Sequence, residues 1–363
     1  MSNQKDIFDT NAMKTVPNSV IRATDIAFSP IQTDQAVQIP FAIEGVGNYL
    51  PSQIIHNHEY EQQYGIDADW IARRTGIFQR RQAPPDMRCS DMAIKAIERM
   101  RERYPFNNDQ LDMIIFSSMS GDFSAPPTAC IIQGKLGARH AKAFDIIGSC
   151  TSFLQSLHIA GLYLAMKQVK TVLLVSADLA LRGKNDHDKN TAILLGDGAG
   201  CMLLTQQDAG DRGIIAHDFG TDGREWDVAT ILGGASTYPV PDDIVGDKYW
   251  FAMDGKRLFR IASRYISASI QRTLDRAGLS LSDIDLFIPH QANYRIIEHV
   301  LKRHQINSDK MKLTIGQYGN TATSSIPITF AEYVTVSANQ PNQLIMSIGF
   351  GAGFNWSTVI IKC

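Results

Sequence analysis

The chain has 363 residues, 44% of them hydrophobic and 20% charged, enough to bury a large core in about two domains. A formal net charge of −2 argues against a nucleic-acid binder held by bulk electrostatics. The five cysteines (Cys89, Cys130, Cys150, Cys201 and Cys363) form no CxxC pair, which argues against a disulfide framework and for a reducing compartment.

Residues 1–38 are polar and mixed, without the basic segment and apolar run of a secretory signal, and read as an N-terminal extension. No run of about 18 apolar residues suggests a membrane span, so a soluble, cytoplasmic protein is expected. Folding proper begins near Ile39, where Phe41 to Gly47 reads as a strand entering a glycine turn. A helix follows over Asn57–Tyr64, and a basic, aromatic-bearing segment, Asp69–Arg81, ends in a loop at Pro84-Pro85. Met92, Ile94, Ala96, Ile97 and Met100 give Ser90–Tyr104 a helical face. Leu111–Ser117 is a continuous apolar strand of the kind buried in a parallel sheet. Pro126-Pro127 opens a helix through Gly137, since proline is tolerated in a first turn.

The next unit carries a candidate nucleophile. A strand, Ala143–Ile147, ends at Gly148-Ser149; Cys150 follows, then an apolar segment, Phe153–Val169, long enough for a buried helix. A thiol at a helix start meets unpaired backbone N–H groups and the helix dipole, both of which favour the thiolate. By position alone such a cysteine is more often a small core residue.

Downstream come a strand over Thr171–Ser176, a polar loop over Leu181–Asn190 with five charged residues, and two apolar runs, Ile193–Leu204, around a glycine-rich turn. That turn, Gly196-Asp-Gly-Ala-Gly200, lacks both GxGxxG spacing and a P-loop Lys-Ser/Thr, and reads as a packing turn. The second half has a strand over Gly213–His217, an irregular stretch to Trp250 and a helix over Lys256–Ala277. Strand Ile284–Ile288, helix Ala292–Arg303, strand Met311–Ile315 and helix Ser324–Ala338 follow. A hairpin, Gln343–Ile348 with Trp356–Ile361, closes the chain around Gly349–Gly353. The alternation predicts an α/β protein in two halves, 39–209 and 210–363. His290 and Asn320 each follow a predicted strand, and ligands in open α/β sheets sit outside strand carboxyl ends. His56-x-His58 and His299…His304 lack a third ligand, so no metal site is expected.

Cys150 in its strand–helix setting, Pro289-His-Gln-Ala-Asn293 and Tyr318-Gly-Asn-Thr321 resemble the active-site motifs of β-ketoacyl-acyl-carrier-protein synthase III. Trp70-Ile-Ala-Arg-Arg-Thr-Gly-Ile77, Gly196–Gly200 and Phe350-Gly-Ala-Gly-Phe-Asn-Trp356 extend the resemblance, which covers about residues 40–363. It implies the thiolase-like fold: two similar α/β halves with mixed five-stranded sheets layered between helices, αβαβα. It also implies an acyltransferase of fatty acid biosynthesis, a homodimer with no cofactor beyond its substrates, acyl-CoA and malonyl-carrier protein.

On this resemblance Cys150 takes an acyl group, and His290 and Asn320 donate hydrogen bonds to the enolate that decarboxylation of malonyl-carrier protein creates. The N–H groups of Cys150 and Ala352 would form the oxyanion hole. Trp70 and Arg74 would line the coenzyme A entrance. Lys189 stands where the family has an arginine, and lysine stacks less well than a planar guanidinium. Ala125 stands where some members carry a phenylalanine that closes the acyl pocket across the dimer interface, which implies a roomier pocket. Arg295, Lys302 and Arg303 fall on one helix face, with Ile296, Ile297, Val300 and Leu301 inward. With Arg260 they would dock an acidic carrier protein. Other readings are a specialised-metabolism ketosynthase of the same fold joining β-ketoacyl units, a cysteine acyltransferase or thioesterase that forms no carbon–carbon bond, and a silent subunit.

Overall fold

The computed structural model describes residues 38–207, 210, 212–238, 247–336 and 343–363. The expected extension, apart from Gln38, and the expected helix end beyond residue 336 lie outside these residues. The first half runs β1 (Ile39–Pro40), β2 (Ala42–Tyr49), β3 (Gln53–His56), α1 (Asn57–Tyr64), α2 (Ala68–Thr75), β4 (Gln79–Gln82) and α3 (Cys89–Arg103). It continues through β5 (Met113–Ser117), α4 (Thr128–Leu136), β6 (Lys142–Ile146), α5 (Ser152–Ala165), β7 (Thr171–Leu179), α6 (Lys189–Ala192) and β8 (Asp197–Thr205). The second half runs β9 (Gly213–Thr221), the short pair β10 (Ala229–Thr230) and β11 (Ala252–Met253), α7 (Gly255–Ala277), β12 (Leu286–Pro289) and α8 (Tyr294–His304). It closes with α9 (Ile315–Tyr318), α10 (Ser325–Tyr333), β13 (Leu344–Gly351) and β14 (Asn355–Lys362).

One five-stranded sheet has the order β2-β8-β7-β5-β6, with β5 parallel to β6 and β7 and β8 antiparallel to both its neighbours. The other has the order β1-β9-β14-β13-β12, in which only β12 and β13 are parallel. Side chains alternate across a strand. Met113 and Ile115 of β5 therefore join an inner core with α5, α10 and the second sheet, while Ile114 and Phe116 join an outer core with α3 and α4. The second sheet repeats this: Ile345 and Val359 face the inner core, Met346 and Ile360 an outer core with α7 and α8. The result is the expected five-layer αβαβα stack.

Two expectations are corrected. Gly196–Gly200 is no turn, because β8 runs straight through it from Asp197. Its glycines admit neighbours that a side chain would repel: a Cβ at Gly200 would lie 2.7 Å from the Ile328 nitrogen, and one at Gly196 only 2.0 Å from the Tyr318 carbonyl oxygen. Gly196→Ala is expected to destabilise the protein by about 1–3 kcal/mol, read as a lower urea midpoint at unchanged slope. A midpoint equal to wild type would contradict the close approach.

The segment Met311–Ile315 is not a strand. Met311 makes a single bridge to Phe287, and the chain coils into α9 from Ile315. The side-chain oxygen of Gln291 accepts the N–H groups of Thr314 at 3.1 Å and Ile315 at 3.2 Å, donors that a strand would offer to a neighbour. Asn320 thus follows a helical turn.

Candidate active site

The turn that carries Cys150 is held by its own hydroxyls. The Gly148 N–H donates to Ser152 Oγ at 2.7 Å, Thr151 Oγ1 donates to the Gly148 carbonyl at 2.9 Å, and Ser152 Oγ donates to the Ser149 carbonyl at 2.6 Å. Ser149 sits in the left-handed region, φ 53°, a conformation held only when its surroundings over-determine it. Cys150 therefore stands on a single 3₁₀ turn at the head of α5, half-buried, with Sγ 3.9 Å from Met119 Sδ. Burial pushes its thiol up to about 12, and the nearby Asp178 carboxylate pushes the same way. Both effects favour the thiol and oppose the helix start, which favours the thiolate.

The turn after β13 is tied to this one. A Cβ at Gly351 would lie 2.8 Å from the Cys150 nitrogen, so glycine lets the two backbones meet. The Thr151 hydroxyl proton is shared between the Gly148 carbonyl and Asn355 Oδ1, 2.5 Å away, and Asn355 Nδ2 donates to the Ala352 carbonyl at 2.8 Å. One side chain thereby fixes the Ala352 turn against the Cys150 turn.

His290 leaves β12 with its N–H on the Ile348 carbonyl at 2.7 Å. It is 2% exposed, and burial pushes its imidazole down to about 3, so the ring is neutral at neutral pH. Nδ1 lies 2.7 Å from Ser325 Oγ, which also accepts the Gln291 N–H at 3.3 Å. When the Ser325 hydroxyl donates to Nδ1, the imidazole proton stands on Nε2 and can be donated. Asn320 is hung on the segment just before β8: its N–H donates to the Leu194 carbonyl at 2.8 Å and its carbonyl accepts from the Gly196 N–H at 3.0 Å. Oδ1 accepts the Ala322 N–H at 2.9 Å, so the amide NH2 is the end left to donate. Cys150, His290, Asn320 and Ala352 line one cavity of about 1090 Å³, with Met119 and Phe350 beside them. A thiol and two neutral donors in one cavity suit an acyl group held on sulfur and an oxygen that gains charge.

The family model described as 3-Oxoacyl-[acyl-carrier-protein (ACP)] synthase III matches residues 144–223, and the model of its C-terminal part matches residues 274–363. The β-ketoacyl-[acyl-carrier-protein] synthase III of Syntrophomonas wolfei is 36% identical over 321 residues, 88% of this chain and 96% of that protein. The chain belongs to the β-ketoacyl-[acyl-carrier-protein] synthase III family. A family member from Bacillus anthracis is 34% identical over 320 residues, 88% of this chain and 98% of that protein. The crystal structure of 3-oxoacyl-[acyl-carrier-protein] synthase III from Aquifex aeolicus superposes with a TM-score of 0.81 at 29% identity, covering 89% of this chain and all (100%) of that one. The priming β-ketosynthase of the R1128 polyketide pathway gives a TM-score of 0.82 at 28% identity, over 90% of this chain and 97% of that one.

The outer residues that the synthase III resemblance singled out fall in different places. Trp70, 40% exposed, and Arg74 on α2 line the cavity, as do Arg295 and Lys302 of α8. Lys189 does not line it, although its neighbours Asp188 and Asn190 do. Ala125 is exposed, on the loop before α4, and lies outside the cavity of the single chain. Arg260 and Arg303 line a separate groove of about 490 Å³ with Arg264 and His304. The expected basic face is therefore divided between two depressions, and Lys302 is already paired with Glu298 at 2.8 Å. Among the described residues no three His, Cys, Asp or Glu side chains are grouped to hold a metal, and no helix is long and apolar enough to cross a membrane.

Asp178 was not anticipated. This buried carboxylate at the end of β7 accepts the Met119 N–H at 2.8 Å, the Ser118 hydroxyl at 3.0 Å and the Ser324 N–H at 3.1 Å. It thus fixes both the residue packed on Cys150 and the segment after Asn320. Burial pushes it up to about 6. Its signal in the sequence was a carboxylate closing an otherwise apolar strand, where an unpaired charge is out of place.

Proposed function

We propose that the protein condenses an acyl-CoA primer with malonyl-carrier protein, giving a 3-oxoacyl-carrier protein, CO2 and coenzyme A. The observation that carries this reading is the meeting of Cys150 with two neutral donors, His290 and Asn320, in one cavity. The Cys150 sulfur attacks the primer thioester, the carbon–sulfur bond to coenzyme A breaks, and the thiol proton leaves on coenzyme A. The N–H groups of Cys150 and Ala352 meet the tetrahedral oxygen in that step. Malonyl-carrier protein then places its thioester oxygen between His290 Nε2–H and the Asn320 amide. Its carboxyl carbon leaves as CO2, and the electron pair moves onto that oxygen as an enolate. Two aimed donors in a water-poor site stabilise the enolate without adding a full positive charge. The enolate carbon attacks the acyl-Cys150 carbonyl, the carbon–carbon bond forms, and sulfur leaves and regains a proton.

A thioesterase would need a base for water. In the present reading Ser325 engages Nδ1 and His290 keeps a proton on Nε2 as a donor, which leaves no base for water. CO2 release from malonyl-carrier protein that depends on His290 and Asn320 tests the reading; acyl-CoA hydrolysis without CO2 release would overturn it.

The finer proposals are a primer longer than acetyl, from Ala125; nucleotide held at Trp70, Arg74 and Lys189; an acidic carrier protein docked on Arg260, Arg295, Lys302 and Arg303; and a cytoplasmic homodimer of halves 39–209 and 210–363. Octanoyl-CoA is expected to acylate Cys150 at least as fast as acetyl-CoA, measured by intact mass, and a strong acetyl preference would refute the roomy pocket. Arg303 lies outside the cavity. Arg303→Glu is therefore expected to raise the KM for carrier protein about fivefold or more and to leave acyl-CoA-dependent acylation of Cys150 unchanged. Equal loss of both would point to misfolding in place of docking.

A further inference from the structure

Arg80, on β4, is fully buried. Among the described residues it has no ion-pair partner. Its guanidinium lies 4.4 Å over the Tyr60 ring, and its Nε is buried without a hydrogen-bond partner. A buried charge left without a counter-charge is unfavourable, and an apolar side chain would fill the same space without that cost. What arginine alone provides is a planar fork of donors in fixed geometry.

Both prongs are used. Nη1 donates to Asn57 Oδ1 at 2.8 Å, and Nη2 donates to the Ile193 carbonyl at 2.7 Å. Ile193 directly precedes Leu194, whose carbonyl receives the Asn320 N–H at 2.8 Å. The stem takes part as well. Arg80 Cβ lies 3.2 Å from the points where Cβ atoms of Gly196 and Gly319 would stand. Gly196 donates to the Asn320 carbonyl, and Gly319, at φ +69°, immediately precedes Asn320. On the far side Asn57 Nδ2 donates to the Ile77 carbonyl at 2.7 Å, so the fork is braced against the segment that follows α2.

We propose that Arg80 is the positioning residue of Asn320: it holds the Ile193 carbonyl, one residue before the Leu194 carbonyl from which the Asn320 backbone hangs, and so aims the Asn320 amide into the cavity. The inference rests on reading Asn320 as a donor to the enolate. It assigns to Arg80 no contact with substrate.

Two half-reactions and a double-mutant cycle on the full-length protein test it. Arg80→Met keeps the length and removes the donors; Arg80→Lys keeps a charge and removes the fork. CO2 release from saturating malonyl-carrier protein is expected to fall about tenfold in Arg80→Met, with Cys150 acylation by acyl-CoA within about twofold of wild type. In an Asn320→Ala background the same substitution is expected to cost less than about twofold, since there is no amide left to aim. Arg80→Lys should show the same split, and it decides the matter if Arg80→Met does not fold. An equal loss with and without Asn320, or acylation falling in step with CO2 release, would overturn the proposal. Wild-type protein that releases no CO2 would instead overturn the functional reading.

Discussion

Alanine at His290 or at Asn320 is expected to lower the condensation rate by about 100- to 1000-fold while Cys150 still takes its acyl group at near wild-type speed. The asymmetry follows from where each donor is held. All four residues line the cavity; on the proposed reading the side chains of His290 and Asn320 serve the enolate oxygen, and the backbone at Cys150 and Ala352 serves the acyl-transfer oxygen. Intact mass reads the acyl-enzyme and CO2 release reads the second step. If both fell together in either variant, these side chains would be serving acyl transfer, and the division of labour would be wrong.

The His290 environment adds a pH signature. Its imidazole is held down to about 3, so between pH 5 and 9 it does not titrate, and the condensation step should show no acid limb from this residue. The unfolded chain, with a histidine near 6.5, takes up a proton that the folded protein refuses. Stability from the neutral ring is thus complete above about pH 6.5 and lost as pH falls from there towards 3. His290→Ala should remove that part of the acid destabilisation.

How much of this was legible in the sequence depends on which signal each residue gave. Helices α3 and α7 could be read to within a residue at their starts, because Met92, Ala96 and Met100, or Leu258, Ala262, Ile266 and Ile270, repeat at helical spacing. The glycine word at 196–200 misled, since local sequence treats glycine as a turn former. Its reason here is tertiary: α10 and the Tyr318 carbonyl press on β8 from segments more than a hundred residues away in sequence. The strand expected over Met311–Ile315 failed similarly, because Gln291, in the turn after β12, takes the N–H donors of Thr314 and Ile315.

In the site, Cys150, His290 and Asn320 were singled out by chemistry-bearing residue types at element ends. The groups that hold them were not. Ser325, Asn355 and Asp178 are ordinary polar residues in sequence, and what distinguishes them is that each ties together two segments of the site. Arg80 is the extreme case. Within a basic segment it reads as a solvated charge, and only the closed fold makes it the one fully buried arginine among the described residues.

Cys150→Ser is expected to abolish acylation, by about a thousandfold or more, because an alcohol in this setting has no base to take its proton. The wild-type thiol faces a milder form of the same difficulty. Burial and Asp178 push it up to about 12, and on the proposed reading His290 keeps its Nε2 proton as a donor and does not take the thiol proton. The reactive thiolate is then a minor species whose fraction grows tenfold with each pH unit below its pKa. Acylation by acyl-CoA should therefore climb steadily from pH 6 to 9 without a plateau. Stability should move the other way. The unfolded thiol, near 8.5, deprotonates first, so what the buried thiol contributes is complete below about pH 8.5 and is lost as pH rises towards 12. Comparing wild type with Cys150→Ser isolates this loss from that of the other buried cysteines. A plateau in acylation by pH 7 would mean that the head of α5 holds the thiolate against desolvation, restoring the picture that the helix start alone suggests.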